Sequence, residues 1–209
     1  MQVKSQEYPM HEPRFKRGMA IGYALSPTGA DHCHSLHDSG LGTATEEGFM
    51  PSAPLRSMGI LEPMSVEDLG LQKVRASIAH ATAQIMKNCL SMCQFVAWSL
   101  NDYVEIVKAA TGFDMTAYEL VLAGERAMTL ARVFNMREGF SVKDDRLAER
   151  SYGPTRNGVL ADGGIDREEL QEAVQIYYGI MGWDRETGVP TLGKLQELDV
   201  AWAAEYLPK

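Results

Sequence analysis

The stretch VRASIAHATAQIMKNCLSM, Val74 to Met92, decides the fold class. Val74, Ile78, Ala81, Ile85, Cys89 and Met92 recur every three or four residues, which lines one face of a helix, and no alternating strand pattern competes with it. The helical region starts near Ser65, where Glu67 and Asp68 favour the positive end of a helix dipole. Downstream, Asn101 is a candidate N-cap for a second helix with Val104, Val107 and Ala110 on one side, and Gly112 supplies its stop. Thr116 and Glu119 form a capping-box pair at the head of a third helix. Its apolar face reads Leu120, Ala123, Ala127, Leu130 and Phe134, and it closes near Gly139. After a polar loop, a second capping-box pair, Asp166 and Glu169, heads a fourth helix with Leu170, Val174, Tyr177 and Met181 on one face. Gly182 ends that helix, and Thr191 caps a last short one carrying Leu195 and Leu198.

Ahead of this region the pattern weakens. MQVKSQEYPMHEPRFKRG carries Pro9 and Pro13 and has no period of its own, as if built to pack on something else, and Met1 does not read as the start of a complete domain. A short apolar run ends at the Ser26-Pro27 turn signal. ADHCHSLHD is expected to form a short helix from near Gly29, and residues 39–64 read as loop. The expected architecture is therefore all-α: an irregular helical domain over 65–209 behind an extended, loop-rich segment over 1–64.

Composition narrows the function classes. The 209 residues are 45% hydrophobic and 23% charged, with a net charge of −8 and no basic run. That balance argues against nucleic-acid binding, which draws on clustered Lys and Arg. No apolar stretch is long enough to span a membrane, and no leader precedes the chain, so a soluble cytoplasmic protein is expected. The three cysteines, Cys33, Cys89 and Cys93, are odd in number and point to free thiols or metal ligands rather than a disulfide scaffold.

Two short segments carry the candidate chemistry. In NCLSMCQF, Asn88 to Phe95, two thiols stand four residues apart; they are either part of an apolar stripe or part of a cofactor site, and a metal centre needs about four donors in all. In HCHSLHD, His32, His34, His37 and Asp38 fall within seven residues, which suits either a divalent metal or a hydrogen-bonded turn. Glu125, Arg126, Arg132, Arg137 and Glu138 read as surface ion pairs and caps of the third helix.

NCLSMCQF resembles the second pterin-binding signature, D-x-x-G-L-C, of the tungsten-containing aldehyde ferredoxin oxidoreductase family. GYALSPTGADH (Gly22 to His32) is similar to that family's GYA-x-S-x-x-G-x-x-H segment. AGERAMTLARVFNMREGFSVKDDRLAER (Ala123 to Arg150) and YYGIMGWDRETGVPTLGKLQELDV (Tyr177 to Val200) resemble its later blocks, in the family order. The resemblance implies the C-terminal part of an enzyme that oxidises a small aldehyde at a tungsten or molybdenum bis-pterin and passes electrons through a 4Fe–4S cluster to ferredoxin. It implies Cys93 as a cluster ligand, with the other cluster cysteines outside this sequence. Asn88, Met92, Gln94 and His34 would contact the pterins, and His32 would be a catalytic group beside metal and substrate. The signature departs from the family at Asn88 (Asp), Ser91 (Gly) and Met92 (Leu), and Cys89, at a variable position, is expected to pack in the core. Ala148 replaces a common Pro. A companion polypeptide carrying the N-terminal domain is implied, and the chain alone should not turn over. The catalytic subunit of a tungsten benzoyl-coenzyme A reductase and a cofactor-free helical interaction remnant are the alternatives.

Overall fold

The computed structural model describes residues 1–41, 53–96 and 98–208. It opens with a two-stranded antiparallel hairpin, β1 (Gln2–Val3) and β2 (Gln6–Glu7). Its two turn residues, Lys4 and Ser5, both have positive φ, the conformation that matches the twist of paired strands. The aperiodic opening concealed this hairpin because two-residue strands carry no readable alternation. Helix α1 (Arg17–Leu25) follows and is buried from Gly18 to Leu25 apart from Gly22, so it runs through the core rather than along it.

The short helix expected from Gly29 is absent. Gly29 turns the chain at φ +82, and Asp31 Oδ1 accepts the Cys33 backbone N–H at 2.8 Å, an Asx turn that competes with helix. Part of the loop expected over 39–64 lies outside the described residues, and a short helix, α2 (Ala53–Ser57), interrupts the rest. Helix α3 (Leu71–Cys89) starts six residues later than expected, because Ser65 and Asp68 spend their side chains on turn hydrogen bonds to Glu67 N–H and Gly70 N–H.

Helix α4 (Leu100–Thr111) is capped by Ser99 rather than Asn101, in a reciprocal box with Asp102, and stops at Gly112 with φ +77. Helix α5 (Ala117–Arg137) has the expected Thr116–Glu119 box. Helix α6 (Arg167–Ile180) is capped by Asp166 alone, which accepts from Glu168 and Glu169 N–H. Thr191 caps α7 (Leu192–Glu197), and a 3₁₀ segment, Ala201–Tyr206, closes the described chain.

Helices α3 and α5 form the main pair, with α1 and α6 packed on α3. The pair meets at Gly124, where a Cβ would stand 2.5 Å from the Thr82 carbonyl and 3.0 Å from Met86 Cβ. The buried residues of α5 are Leu120, Gly124, Met128, Thr129, Arg132, Val133 and Met136, a face rotated from the expected one; Phe134 is exposed. Arg132 is consequently interior and not a surface ion-pair residue. Its guanidinium meets Asp145 at 2.6 Å, Lys4 meets the same carboxylate at 2.8 Å, and the Tyr178 hydroxyl donates to it. This buried group ties the hairpin, α5 and α6 together. Burial lowers the Lys4 pKa, against the opposing pull of Asp145.

Candidate cofactor-facing site

The site lies where the loop after α1 meets the C-terminal end of α3. Gly22 lets the loop approach, since a Cβ there would fall 2.1 Å from Ser35 Oγ. Ser35 in turn donates to the Asp31 carbonyl at 2.7 Å. The Asp31 carboxylate takes the Cys33 N–H, the Thr28 hydroxyl at 3.2 Å and His34 Nδ1. Burial alone would raise the Asp31 pKa, but these hydrogen bonds, led by His34, outweigh it and hold the carboxyl down to about 2.

The carboxylate on Nδ1 sets the orientation and tautomer of His34 and leaves Nε2 as an acceptor. Asn88 Nδ2 lies 2.6 Å from that nitrogen and Gln94 Nε2 lies 3.3 Å from it, while Gln94 also donates to Asn88 Oδ1 at 3.1 Å. Three of the expected site residues, His34, Asn88 and Gln94, are thus joined in one network oriented by Asp31. Asp31 had no reading of its own in the sequence, although its place three residues before His34 was available as a signal.

The backbone between Asn88 and Gln94 explains the signature's shape. Ser91 N–H bonds the Asn88 carbonyl at 2.9 Å and Met92 N–H bonds the Lys87 carbonyl at 3.0 Å, with Ser91 at φ +55. These are the paired bonds of a helix C-terminus closed by a left-handed residue. Glycine suits that conformation, so the glycine of the resembling signature has a backbone reason; the serine here adopts it with a Cβ in place.

The remaining expected residues fall elsewhere. Met92 packs half-buried against Met86, Tyr103, Val107 and Leu120. Cys93 is exposed on the turn after α3. Cys89 is also exposed, contrary to the expected core packing, because the last turn of α3 rolls that face out of the interior. His32 points away from His34; its ring stacks against His11 with centres 4.8 Å apart, and its Nε2 lies 3.8 Å from Cys33 Sγ.

The grouping of His32, His34, His37 and Asp38 is split: the His32 and His37 rings stay edge to face with centres 6.1 Å apart, while His34 turns to Asn88 and Asp38 leaves the cluster. Asp38 is fully buried, where it pairs with Lys73 and accepts the Gly18 N–H at 2.9 Å, a structural role at the head of α1. Behind the site, His80 is pushed down to about 4 by burial and by nearby imidazoles and Lys87, so it stands neutral near pH 7.

Residues 1–200 match the family described as aldehyde ferredoxin oxidoreductase, domains 2 and 3, and the chain belongs to that family. It is 28% identical over 207 residues to the tungsten-containing aldehyde ferredoxin oxidoreductase of Pyrococcus horikoshii, covering 95% of this chain and 30% of the relative. The enzyme of that name from Pyrococcus furiosus is 27% identical over 210 residues, covering 96% and 31%. The chain therefore spans about a third of the length of these curated relatives. Among solved structures, the active-site complex BamBC of benzoyl-coenzyme A reductase, in complex with 1,5-dienoyl-CoA, shares the fold, with a TM-score of 0.54 and 16% identity over 96% of this chain and 32% of that one. Among the described residues no helix is long and apolar enough to cross a membrane.

The donor sets differ in how they suit the groups such a family implies. The amides of Asn88 and Gln94 offer open hydrogen-bonding capacity at an exposed edge, which fits a pterin's amine and ring nitrogens. Cys93 belongs to no group of three His, Cys, Asp or Glu donors among the described residues. A 4Fe–4S cluster takes four thiolates, whereas this chain has three cysteines, of which Cys93 offers an exposed thiol of the ligating type.

Proposed function

We propose that this chain forms one wall of the cofactor site of an aldehyde-oxidising enzyme and works together with the polypeptide that carries the other cluster ligands. The tungsten (or molybdenum) bis-pterin would supply two-electron oxidation of a small aldehyde, with a 4Fe–4S cluster passing the electrons on to ferredoxin. The work of this chain is positioning. Asn88 and Gln94 hold the pterin edge by hydrogen bonds, and His34, fixed by Asp31, keeps both amides in one orientation. Asn88 serves here as a neutral acceptor where the family signature has a carboxylate, which weakens the bond without removing it. Cys93 offers one thiolate at the exposed end of the same turn. His32 accepts and returns a proton at its ring during aldehyde oxidation.

The single observation that supports this reading best is the convergence of His34, Asn88 and Gln94 from segments 54 and 60 residues apart. The aldehyde reading is preferred to the benzoyl-coenzyme A one because sequence identity over nearly the whole chain accompanies it, whereas the latter has a likeness of fold. The test is metal analysis of the tagged protein isolated anaerobically with its companions. Iron together with tungsten or molybdenum is expected, with iron reduced in Cys93→Ser. A folded, helical protein free of all three metals would leave a cofactor-free interaction module instead.

A further inference from the structure

We infer that the cleft between residues 142–152 and α6 binds a small organic carboxylate. Arg146 and Arg167 take the carboxylate group, and Leu170 and Val174 lie under the apolar body. The cleft has a volume of about 230 Å³. That is below the usual range for a cofactor site and suits a single ring or a short chain.

The lining separates into a cationic rim and an apolar floor. Lys143, Arg146 and Arg167 stand on the rim with the Gln171 amide, and Leu170 and Val174, from the buried face of α6, form the floor. In a chain of net charge −8 with no basic run, three cations around one cleft go against the composition. The acidic lining residue, Asp145, is buried and already neutralised by Lys4 and Arg132, so it does not oppose an anion.

An internal carboxylate shows what the rim selects. Arg146 Nη1 and Arg167 Nη1 each lie 3.4 Å from Glu149 Oε1, and Arg167 Nη2 donates to Oε2. Guanidiniums from the loop and from the first residue of α6 thus converge on one carboxylate, through the planar fork that distinguishes arginine from lysine. The hydrogen bond from Arg167 holds the Glu149 carboxyl below the ordinary carboxylate range, so the ionised form is favoured there. Arg167 is itself held in place, stacked 3.8 Å from the centre of the Tyr152 ring, whose hydroxyl accepts the Leu147 N–H at 3.0 Å. Glu149 lines the neighbouring cleft and not this one, so it competes for the arginine N–H groups without covering the floor.

The test is titration of the full chain with phenylacetate, followed by calorimetry and ligand-observed NMR, beside the neutral phenylacetamide and the smaller acetate. Phenylacetate should bind at one site with a Kd on the order of 1 mM. Phenylacetamide lacks the charge and acetate lacks the ring, so each should bind at least about fivefold more weakly. Glu149→Gln should tighten phenylacetate about threefold, because the internal competitor is gone. Arg146→Gln and Arg167→Gln should each weaken it about fivefold or more, with helicity unchanged by circular dichroism. Lys108→Gln removes a cation of α4 outside the cleft and should bind as the parent does. Four results would each overturn the assignment: no binding at about 10 mM phenylacetate, equal binding of phenylacetamide, weaker binding in Glu149→Gln, or an equal loss in Lys108→Gln. None of these readouts depends on tungsten, iron or the pterin reading.

Discussion

His34 Nε2 stands 2.6 Å from Asn88 Nδ2, and this contact joins the loop after α1 to the last turn of α3. The Asp31 carboxylate on the opposite ring nitrogen holds the imidazole in this orientation. Asp31 is therefore the residue whose loss should be felt throughout the site.

Replacing Asp31 with Asn should remove pH-dependent stability at low pH. The folded carboxyl titrates at about 2, below the ordinary carboxylate value near 3.8, so its contribution is complete above about pH 4 and is lost as pH falls toward 2. A shift of this size corresponds to about 2 kcal/mol. Urea midpoints measured from pH 6 to pH 2 should fall more steeply for the parent than for Asp31→Asn; parallel curves would show that the carboxylate is not held down.

Ser91 occupies a left-handed position that glycine fills without a steric penalty. Ser91→Gly should stabilise the chain by roughly 0.5–1 kcal/mol, the relief of the Cβ clash less the added freedom of the unfolded chain. A thermal melt or urea titration reads this directly. A destabilised variant would mean that the serine side chain makes a contribution the backbone geometry does not reveal.

Gly124 allows α3 and α5 to touch. A Val side chain there would drive into the Thr82 carbonyl and Met86, forcing the helices apart. Gly124→Val should cost about 2 kcal/mol or more, in the range of overpacked interiors. The same change at half-buried Gly153, where nothing stands within 4 Å of an added Cβ, is the control and should be far milder.

Asp145 neutralises two buried cations, Lys4 and Arg132. Asp145→Ala leaves both uncompensated and should destabilise by roughly 3–5 kcal/mol. Lys4→Met in the same background should recover part of that loss, because one unpaired charge is then gone. A double-mutant cycle by chemical denaturation measures the coupling, and additivity within error would rule out the pairing.

Much of the helical layout was legible in the chain because its signals are local. Thr116–Glu119, Asp166, Thr191, Gly112 and Gly182 act within one turn of backbone, so composition and spacing suffice to place them. Family membership was legible for a similar reason: the blocks around GYALSPTGADH and RVFNMREGF persist as contiguous strings.

What escaped a linear reading depends on contacts between distant segments. The face α5 buries is set by its partner α3 at Gly124, and that rotation carries Arg132 inside, where Asp145 and Lys4 can meet it. A one-residue phase error is invisible in a sequence with apolar residues on both candidate faces. The histidines divide similarly: His34 goes to Asn88 and Gln94, while His32 goes to His11, because the Asp31 turn points successive side chains in different directions. Cys89 and Ile85 lie on one helical stripe, yet one is exposed and the other buried, since α3 extends beyond the core it packs against. Periodicity is a property of the chain, whereas burial belongs to the neighbours that tertiary packing supplies.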